Sequence, residues 1–274
     1  MAVRYWTQIP TNAFDAGQFR HHVAVLPLGA TEQHGPHLPL STDTVIAEGM
    51  VEAVVDRLSE DAKVVVLPGL AVTNSVEHTN RAGTLSLGRD LTFRLILEIA
   101  RGVAGAGLRK LVIINAHGGN VGVMVDASHA IRAELGMLCV ATNWMRLGLP
   151  DGVIAPDERA VDIHGGQLET AILLALRPDL VDRGQAGNFP SLQSELAAEF
   201  SLLRAYGPVG MGWMGDDLNP SGAVGNAAAA REEDGRAIIA YQAEQMVRLL
   251  AEVERFTPRW WEDSESEPGA GSAG

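Results

Sequence analysis

Residues 31 to 44 read TEQHGPHLPLSTDT, which places Glu32, His34, His37 and Asp43 in one short segment rich in Pro and Gly. A loop stays hydrated with Ser, Asn or Lys; carboxylates and imidazoles are the groups that bind divalent metals. Glu32 and His34 are two apart, and extended chain sends such positions to the same side. Asp43 follows after a Pro-rich excursion, and His117 closes the run KLVIINAH. Together they supply two carboxylates and two imidazoles, a mixed N/O set that suits Zn, Mn or Fe(II) better than Ca and lacks the thiolates of a structural zinc site. Glu169, on or near the first turn of a GQLETAILLAL helix, is either a fifth ligand or an ordinary carboxylate favoured by the helix dipole.

Residues so far apart in sequence need a scaffold that gathers them. Short apolar runs, VAVLPL (23 to 28), KVVVLPGL, KLVIIN and MLCVATNW, alternate with helical patterns such as TVIAEGMVEAVVDRLSE and RDLTFRLILEIARGVAGAG. That alternation marks βαβ units, because parallel neighbours need crossovers that helices supply. Further helices are expected over GQLETAILLALRP, ending near Pro178, and over residues 231 to 256. The expected fold is α/β, a single domain over residues 1 to 256, with an acidic, small-residue-rich and disordered tail over 257 to 274. In such sheets function sits beyond the carboxyl ends of the strands. Polar clusters follow each run there: GATEQHGPHLPLSTD, TNSVEHTNRAGT, NAHGGN and TNW, with DIHGGQLET at some distance.

Other residues admit an ordinary and a functional reading. Single histidines such as His37, His78 and His129 are more often surface or hydrogen-bonding groups than ligands. Gly118 and Gly119 are turn residues, or they let backbone N–H groups approach a bound oxyanion while Asn120 caps the next helix. Trp144 is a core residue or a substrate platform. Glu77 and His78 line a pocket or orient ligands from behind, or belong to a polar loop against a neighbouring subunit. The Gly-rich segment YGPVGMGWMGDDLNPSGAVGN is too long for a simple turn and is a candidate active-site or subunit-contact loop.

Composition narrows the function. The chain has 274 residues and 46% apolar content, enough for a substantial core. Lys plus Arg total 21 against 34 acidic residues, and the formal charge of −13 argues against nucleic acid or an anionic membrane as partner. The single Cys139 excludes a disulfide framework. There is no leader pattern at the start and no apolar run near the ~20 residues of a membrane span, so a soluble cytoplasmic protein is expected.

At this point the motifs match something specific. LPLGATEQHGPHLPLSTDT resembles the first signature of the creatininase (creatinine amidohydrolase) family, and EHTNRAGTLSL, NAHGGN and HGGQLETA resemble its later blocks in order, over roughly residues 20 to 250. The resemblance implies a three-layer α/β/α sandwich with a mainly parallel central sheet, two divalent ions per subunit, hydrolysis of an amide C–N bond in a small-molecule substrate, and a homo-oligomer, commonly a hexamer. It makes Glu32, His34, Asp43 and His117 metal ligands, with Asp43 bridging, and His164 the catalytic histidine. Two departures matter. Creatininase proper has a ligand Glu two residues after the histidine matching His117, where this chain has Gly119; HGGN-type members, among them formamide hydrolases and a maturation peptidase, use the Glu matching Glu169. Creatininase also has a substrate-stacking Trp where this chain has Ala160, so creatinine itself is not the expected substrate. The imidazole pKa near 6.5 suits His164 to proton transfer, from a flexible turn at the pocket mouth, with Glu77 next in line. The expected activity is hydrolysis of a small cyclic amide or formamide; a peptidase or deformylase of cofactor maturation and a non-catalytic metal-binding regulator are the alternatives.

Overall fold

Burial along the first apolar run sets the layers. All six residues of β1 (Val23–Leu28) are buried, the state of a central parallel strand covered on both faces. In this computed structural model, which describes residues 4–207 and 209–261, β1 pairs in parallel with β2 (Val64–Val66) and β3 (Lys110–Asn115), and β4 (Leu138–Asn143) lies beyond β3. The order is β2-β1-β3-β4. Crossovers and outer layers are α1 (Thr42–Val55), α2 (Gly88–Gly105), α3 (Val121–Leu135), α4 (Gln167–Leu176) and α5 (Glu232–Arg255).

Strand alternation divides the core in two. Val23, Val25, Val112 and Ile114 pack with Ile46, Met50, Ile172 and Ile238 from α1, α4 and α5. Ala24, Leu26, Leu111 and Ile113 pack with Ile96, Val103, Met124 and Ile131 from α2 and α3. The result is the expected three-layer α/β/α sandwich. Among the described residues, no helix is long and apolar enough to cross a membrane.

Three details depart from the sequence reading. The second run pairs regularly only over Val64–Val66, because Pro68 and Gly69 interrupt the ladder before Leu70 rejoins β1 by donating its N–H to Pro27. Residues 257 to 261 belong to the fold and not to a disordered tail: the Trp261 indole donates to the Gly136 carbonyl at 2.8 Å, and Arg109 and Arg132 stack on Trp261 and Trp260. The remainder of that segment lies outside the described residues. The Gly-rich segment contains a short helix, Gly215–Leu218, and a strand, Gly225–Asn226, which pairs antiparallel with Asn188–Phe189. Cys139, on β4, is pushed up to about 12 by burial and stays a neutral thiol.

Helices α4 and α5 meet at Gly235, where a methyl group would overlap the backbone carbonyl of Ala171, two residues after Glu169. Gly235→Ala gains roughly 1 kcal/mol of helix propensity but overpacks a backbone contact at a cost of about 1–3 kcal/mol or more. Chemical denaturation is expected to show a net loss of stability. A more stable Gly235→Ala protein would mean that the two helices part freely.

Candidate metal centre

The polar cluster lies at the carboxyl ends of β1 and β3, where an open parallel sheet leaves a crevice. Glu32 and His34 follow β1, and an isolated bridge between His34 and Leu38 turns the loop back so that Asp43 enters the first turn of α1. The positive end of that helix favours the Asp43 carboxylate. His117 follows β3, and Glu169 sits in the first turn of α4. Glu32, His34, Asp43 and His117 are buried, and Glu169 is partly so.

Asp43 divides its two oxygens between two groups. Oδ1 lies 3.3 Å from His34 Nε2, and Oδ2 lies 3.3 Å from His117 Nδ1. His117 Nδ1 is also 3.1 Å from Glu32 Oε1, and His34 Nε2 is 3.7 Å from Glu169 Oε2. Glu32, Asp43 and His117 thus offer one set of ligand atoms within 4.8 Å of one another, and His34, Asp43 and Glu169 a second. A third such set, Glu32, His34 and His164, shares the same space.

Backbone carbonyls decide which imidazole nitrogens face the centre. His34 donates from Nδ1 to the Glu32 carbonyl at 3.1 Å, and His117 donates from Nε2 to the Asn74 carbonyl at 2.8 Å. A carbonyl can only accept, so the opposite nitrogens, His34 Nε2 and His117 Nδ1, are the ones left facing the carboxylates, where each takes either a second proton or a metal ion. Both oxygens of Glu32, Oδ2 of Asp43 and Nε2 of His34 are buried without a hydrogen-bond partner. Buried groups of this kind require compensation by a cation. Burial alone lowers an imidazole, but the Asp43 carboxylate lifts His34 to about 10, and Glu32 and Asp43 lift His117 well above the usual range. Burial pushes Glu169 up to about 7, whereas the two imidazoles, overcoming burial, hold Asp43 far below a normal carboxylate. The donor set, its orphaned atoms and its charge fit divalent ions.

A cavity of about 640 Å³ opens over this centre. Glu77, His78, Gly118, Gly119, Trp144 and His164 line it. Asn120 does not: its amide donates to Gly29, Thr73 and Asn115 and accepts from Asn74 N–H, and it makes no side-chain cap on α3. It ties strand ends together, which corrects its reading as a helix cap. His164 is buried and bridged to Val224, with Nε2 donating to the Gln33 carbonyl at 2.6 Å, so the flexible turn expected at the pocket mouth is instead a fixed one. His78 is buried and pushed down to about 3 by that burial. His37 bonds Thr170 and stacks on Phe189, and His129 is exposed on α3, the ordinary readings of a single histidine.

Trp144 is buried and lines the cavity, and its Nε1 donor has no partner. Other lining residues escaped the sequence reading: Gln242 on α5 is buried there, and its Oε1 acceptor has no partner. Arg146 and Arg159 are exposed on its wall, and Trp213, from the Gly-rich segment, meets His78 edge-on. A Gln at an apolar-face position of the last helix was the one visible signal.

A creatinine amidohydrolase (creatininase) family model matches residues 8–250. The chain belongs to the creatininase family. It is a hydrolase of carbon–nitrogen bonds with metal-ligating side chains at its centre. The chain is 35% identical over 235 residues, 83% of its length and 84% of the relative's, to a mycofactocin precursor peptide peptidase of Mycobacterium tuberculosis (strain CDC 1551 / Oshkosh). It is 28% identical over 188 residues, 61% of this chain and 69% of the relative, to the creatinine amidohydrolase of Pseudomonas putida. A creatininase variant solved in a Zn–Zn form shares the fold, with TM-score 0.75 and 22% identity over 93% of this chain and all of that one.

The creatininase-type Glu missing at position 119 has a steric reason here. A Cβ on Gly119 would overlap the Glu77 carboxylate and come within 2.8 Å of the Asn74 carbonyl that holds His117, whereas one on Gly118 meets nothing within 4 Å. Gly119→Ala is therefore expected to displace His117 and weaken metal binding by 10-fold or more in titration calorimetry, and Gly118→Ala to change it little. Equal effects of the two substitutions would refute this account.

Proposed function

We propose that the protein is a two-metal amidohydrolase in which Glu32, Asp43 and His117 hold one divalent ion, His34, Asp43 and Glu169 the other, and Asp43 bridges them. The observation that carries this reading is the division of the Asp43 oxygens between two separate ligand sets. The mixed N/O donors suit zinc, manganese or Fe(II). Such ions, when bound, polarise a scissile carbonyl and lower the pKa of water toward neutrality.

The chain's own groups do the remaining work. His164, neutral because burial lowers it, presents Nδ1 3.6 Å from Glu32 Oε1, at the edge of the ligand sets. There it takes a proton from the attacking water and returns it to the leaving nitrogen as the C–N bond breaks, so that one amide and one water give an acid and an amine. Glu77, 3.6 Å from His117 Nε2, orients that ligand and stands second in line for proton transfer. His78, the Gly118–Gly119 backbone and Trp144 face the substrate.

Substrate choice follows from the cavity. Its volume, its unpartnered Trp144 and Gln242 atoms and its two arginines exceed what a small cyclic amide or formamide needs, and Ala160 stands where creatininase has its stacking Trp. This favours a second reading, a peptidase of precursor maturation, alongside the small-amide reading. A non-catalytic metal-binding role would use His164 only as a further ligand, the case in which His164→Ala loses metal. We further propose a cytoplasmic protein that acts on small molecules or short peptides and not on nucleic acid or membranes, a reading supported by its charge of −13.

We also propose a homo-oligomer, with a hexamer as the family pattern. Val76, Leu85 and Leu91, in and after the loop that carries Glu77 and His78, are 57, 54 and 52% exposed, and this run of exposed apolar side chains supports an interface there. Light scattering on the wild type is expected to give a multiple of the 29.1 kDa chain, reduced by Val76→Asp plus Leu85→Asp. A monomeric wild type at micromolar concentration would remove the proposal.

Elemental analysis is expected to give close to two ions per chain, both lost in Asp43→Ala, while Glu169→Gln weakens one site by 10- to 100-fold or more. His164→Ala is expected to keep both ions and lose roughly 10²–10⁴ in kcat on whichever cyclic amide, formamide or short peptide is turned over. Full metal content in Asp43→Ala contradicts the bridge, and metal loss in His164→Ala makes that residue a ligand.

A further inference from the structure

Gln33 lies between Glu32 and His34 and has no place in the ligand sets, yet its side chain touches two of the histidines that line the cavity. Oε1 accepts the Gly35 N–H at 3.0 Å, and Nε2 donates to the Gly222 carbonyl at 2.9 Å. Both contacts are to backbone groups of fixed polarity, so the amide cannot be flipped without setting oxygen against oxygen and N–H against N–H. An amide nitrogen has two hydrogens; His164 Nε2, 3.3 Å away, is itself a donor to the Gln33 carbonyl and cannot accept, so the second points to His78 Nδ1 at 2.9 Å. His78 Nδ1 must therefore accept, and the proton of this neutral ring is on Nε2, which faces Glu32 Oε1 at 3.6 Å across the cavity floor. The backbone carbonyl of the same Gln33 takes the Nε2–H of His164, which leaves His164 Nδ1 bare toward that same carboxylate oxygen.

We infer that Gln33 is a positioning residue that fixes opposite tautomers in two stacked imidazoles, His78 as a hydrogen-bond donor from Nε2 and His164 as a proton acceptor at Nδ1. The rings lie 4.1 Å apart at 20°, so a donor and an acceptor are offered side by side to one reacting amide. His78 donates a hydrogen bond to the oxygen that gains charge as the carbonyl is attacked and keeps its proton throughout. A neutral imidazole is a suitable donor there, because it adds no charge beside His34 and His117.

The Gly-rich segment is the outer wall of this clamp. A Cβ on Gly222 would come within 2.9 Å of Gln33 Cδ, and one on Gly215 within 2.8 Å of His78 Nδ1. Val224 pairs with His164 on both sides, its N–H donating to the His164 carbonyl at 2.6 Å and its own carbonyl accepting at 3.2 Å. The segment read from sequence as a candidate active-site or subunit-contact loop thus packs its backbone against Gln33, His78 and His164, with glycine where side chains would strike them.

The inference rests on the amidohydrolase reading for its use but not for its test. Long-range proton–nitrogen spectra of the zinc-loaded protein labelled with ¹⁵N-histidine report the tautomer of each ring, His78 being assigned by its loss in His78→Gln. The wild type is expected to show His78 protonated on Nε2 only. Gln33→Glu, which has no N–H to give, is expected to move that proton to Nδ1 with metal content unchanged. With a turned-over amide in hand, it is also expected to lower kcat about 10²–10³-fold with KM within a few-fold, the signature of a lost donor to the transition state. A wild-type His78 protonated on Nδ1, or a tautomer unaffected by Gln33→Glu, overturns the inference. If Gln33→Glu does not fold, the wild-type spectrum still decides. Failure to find any amide substrate, with the tautomers as stated, would count against the proposed function alone.

Discussion

Two carboxylates withdrawn almost completely from water, Glu32 and Asp43, constrain everything around them. Neither could be held ionised at the ends of buried strands by the apolar core beneath, since an uncompensated buried charge costs several kcal/mol. Cationic character has to be supplied from one side and rigidity from the other. The imidazoles of His34 and His117 give the first, as protons or as lone pairs for a metal. The second comes from backbone: the carbonyls of Glu32 and Asn74 grip the outer nitrogens, and the first turn of α1 presents Asp43 with its dipole already aligned. Such a centre tolerates no slack, which is why the loops above the sheet are dense with bridges and side-chain-to-backbone bonds.

The sheet provides the common origin for these loops. β1 and β3 are adjacent and in register, with Leu28 level with Asn115, so Glu32 and His117 leave the sheet from neighbouring strand ends. Asn120 then fastens those ends to each other, through Asn115 and Gly29, and to the loop after β2, through Thr73 and Asn74. Glu169 arrives from outside the sheet on α4, and its place depends on how closely that helix meets α5 at Gly235. One ligand set thus rides on the strands and the other partly on helix packing.

Much of this was legible in the chain. Glu32, His34, Asp43 and His117 stood out because their side-chain types have few other reasons to occupy Pro- and Gly-rich loops after apolar runs; the alternation of runs and helices gave the parallel βαβ units, and the family resemblance implied the three layers. What stayed hidden has a common cause. Asn120 looked like a helix cap and is a hub of four bonds, because a capping side chain and a buried amide read alike until its neighbours are known. Gln33 was overshadowed by stronger candidate ligands on either side. Gln242 differs from any polar helix residue only in facing inward, and the periodicity of α5 does not tell which apolar stripe ends at a cavity. The fixed place of His164 depends on Val224, sixty residues further along the chain, and no local pattern predicts such a pairing.

The tryptophan pair that closes the described chain has a practical meaning. Trp261 binds the Gly136 carbonyl and stacks under Arg109, at the edge of the sheet where β3 and β4 begin, whereas the loops of the candidate metal centre leave from where β1 and β3 end. Trp261 thus lies on the blunt side of the molecule. Grafted to a bead or an electrode through side chains on that surface, the protein would stand with its mouth turned outward.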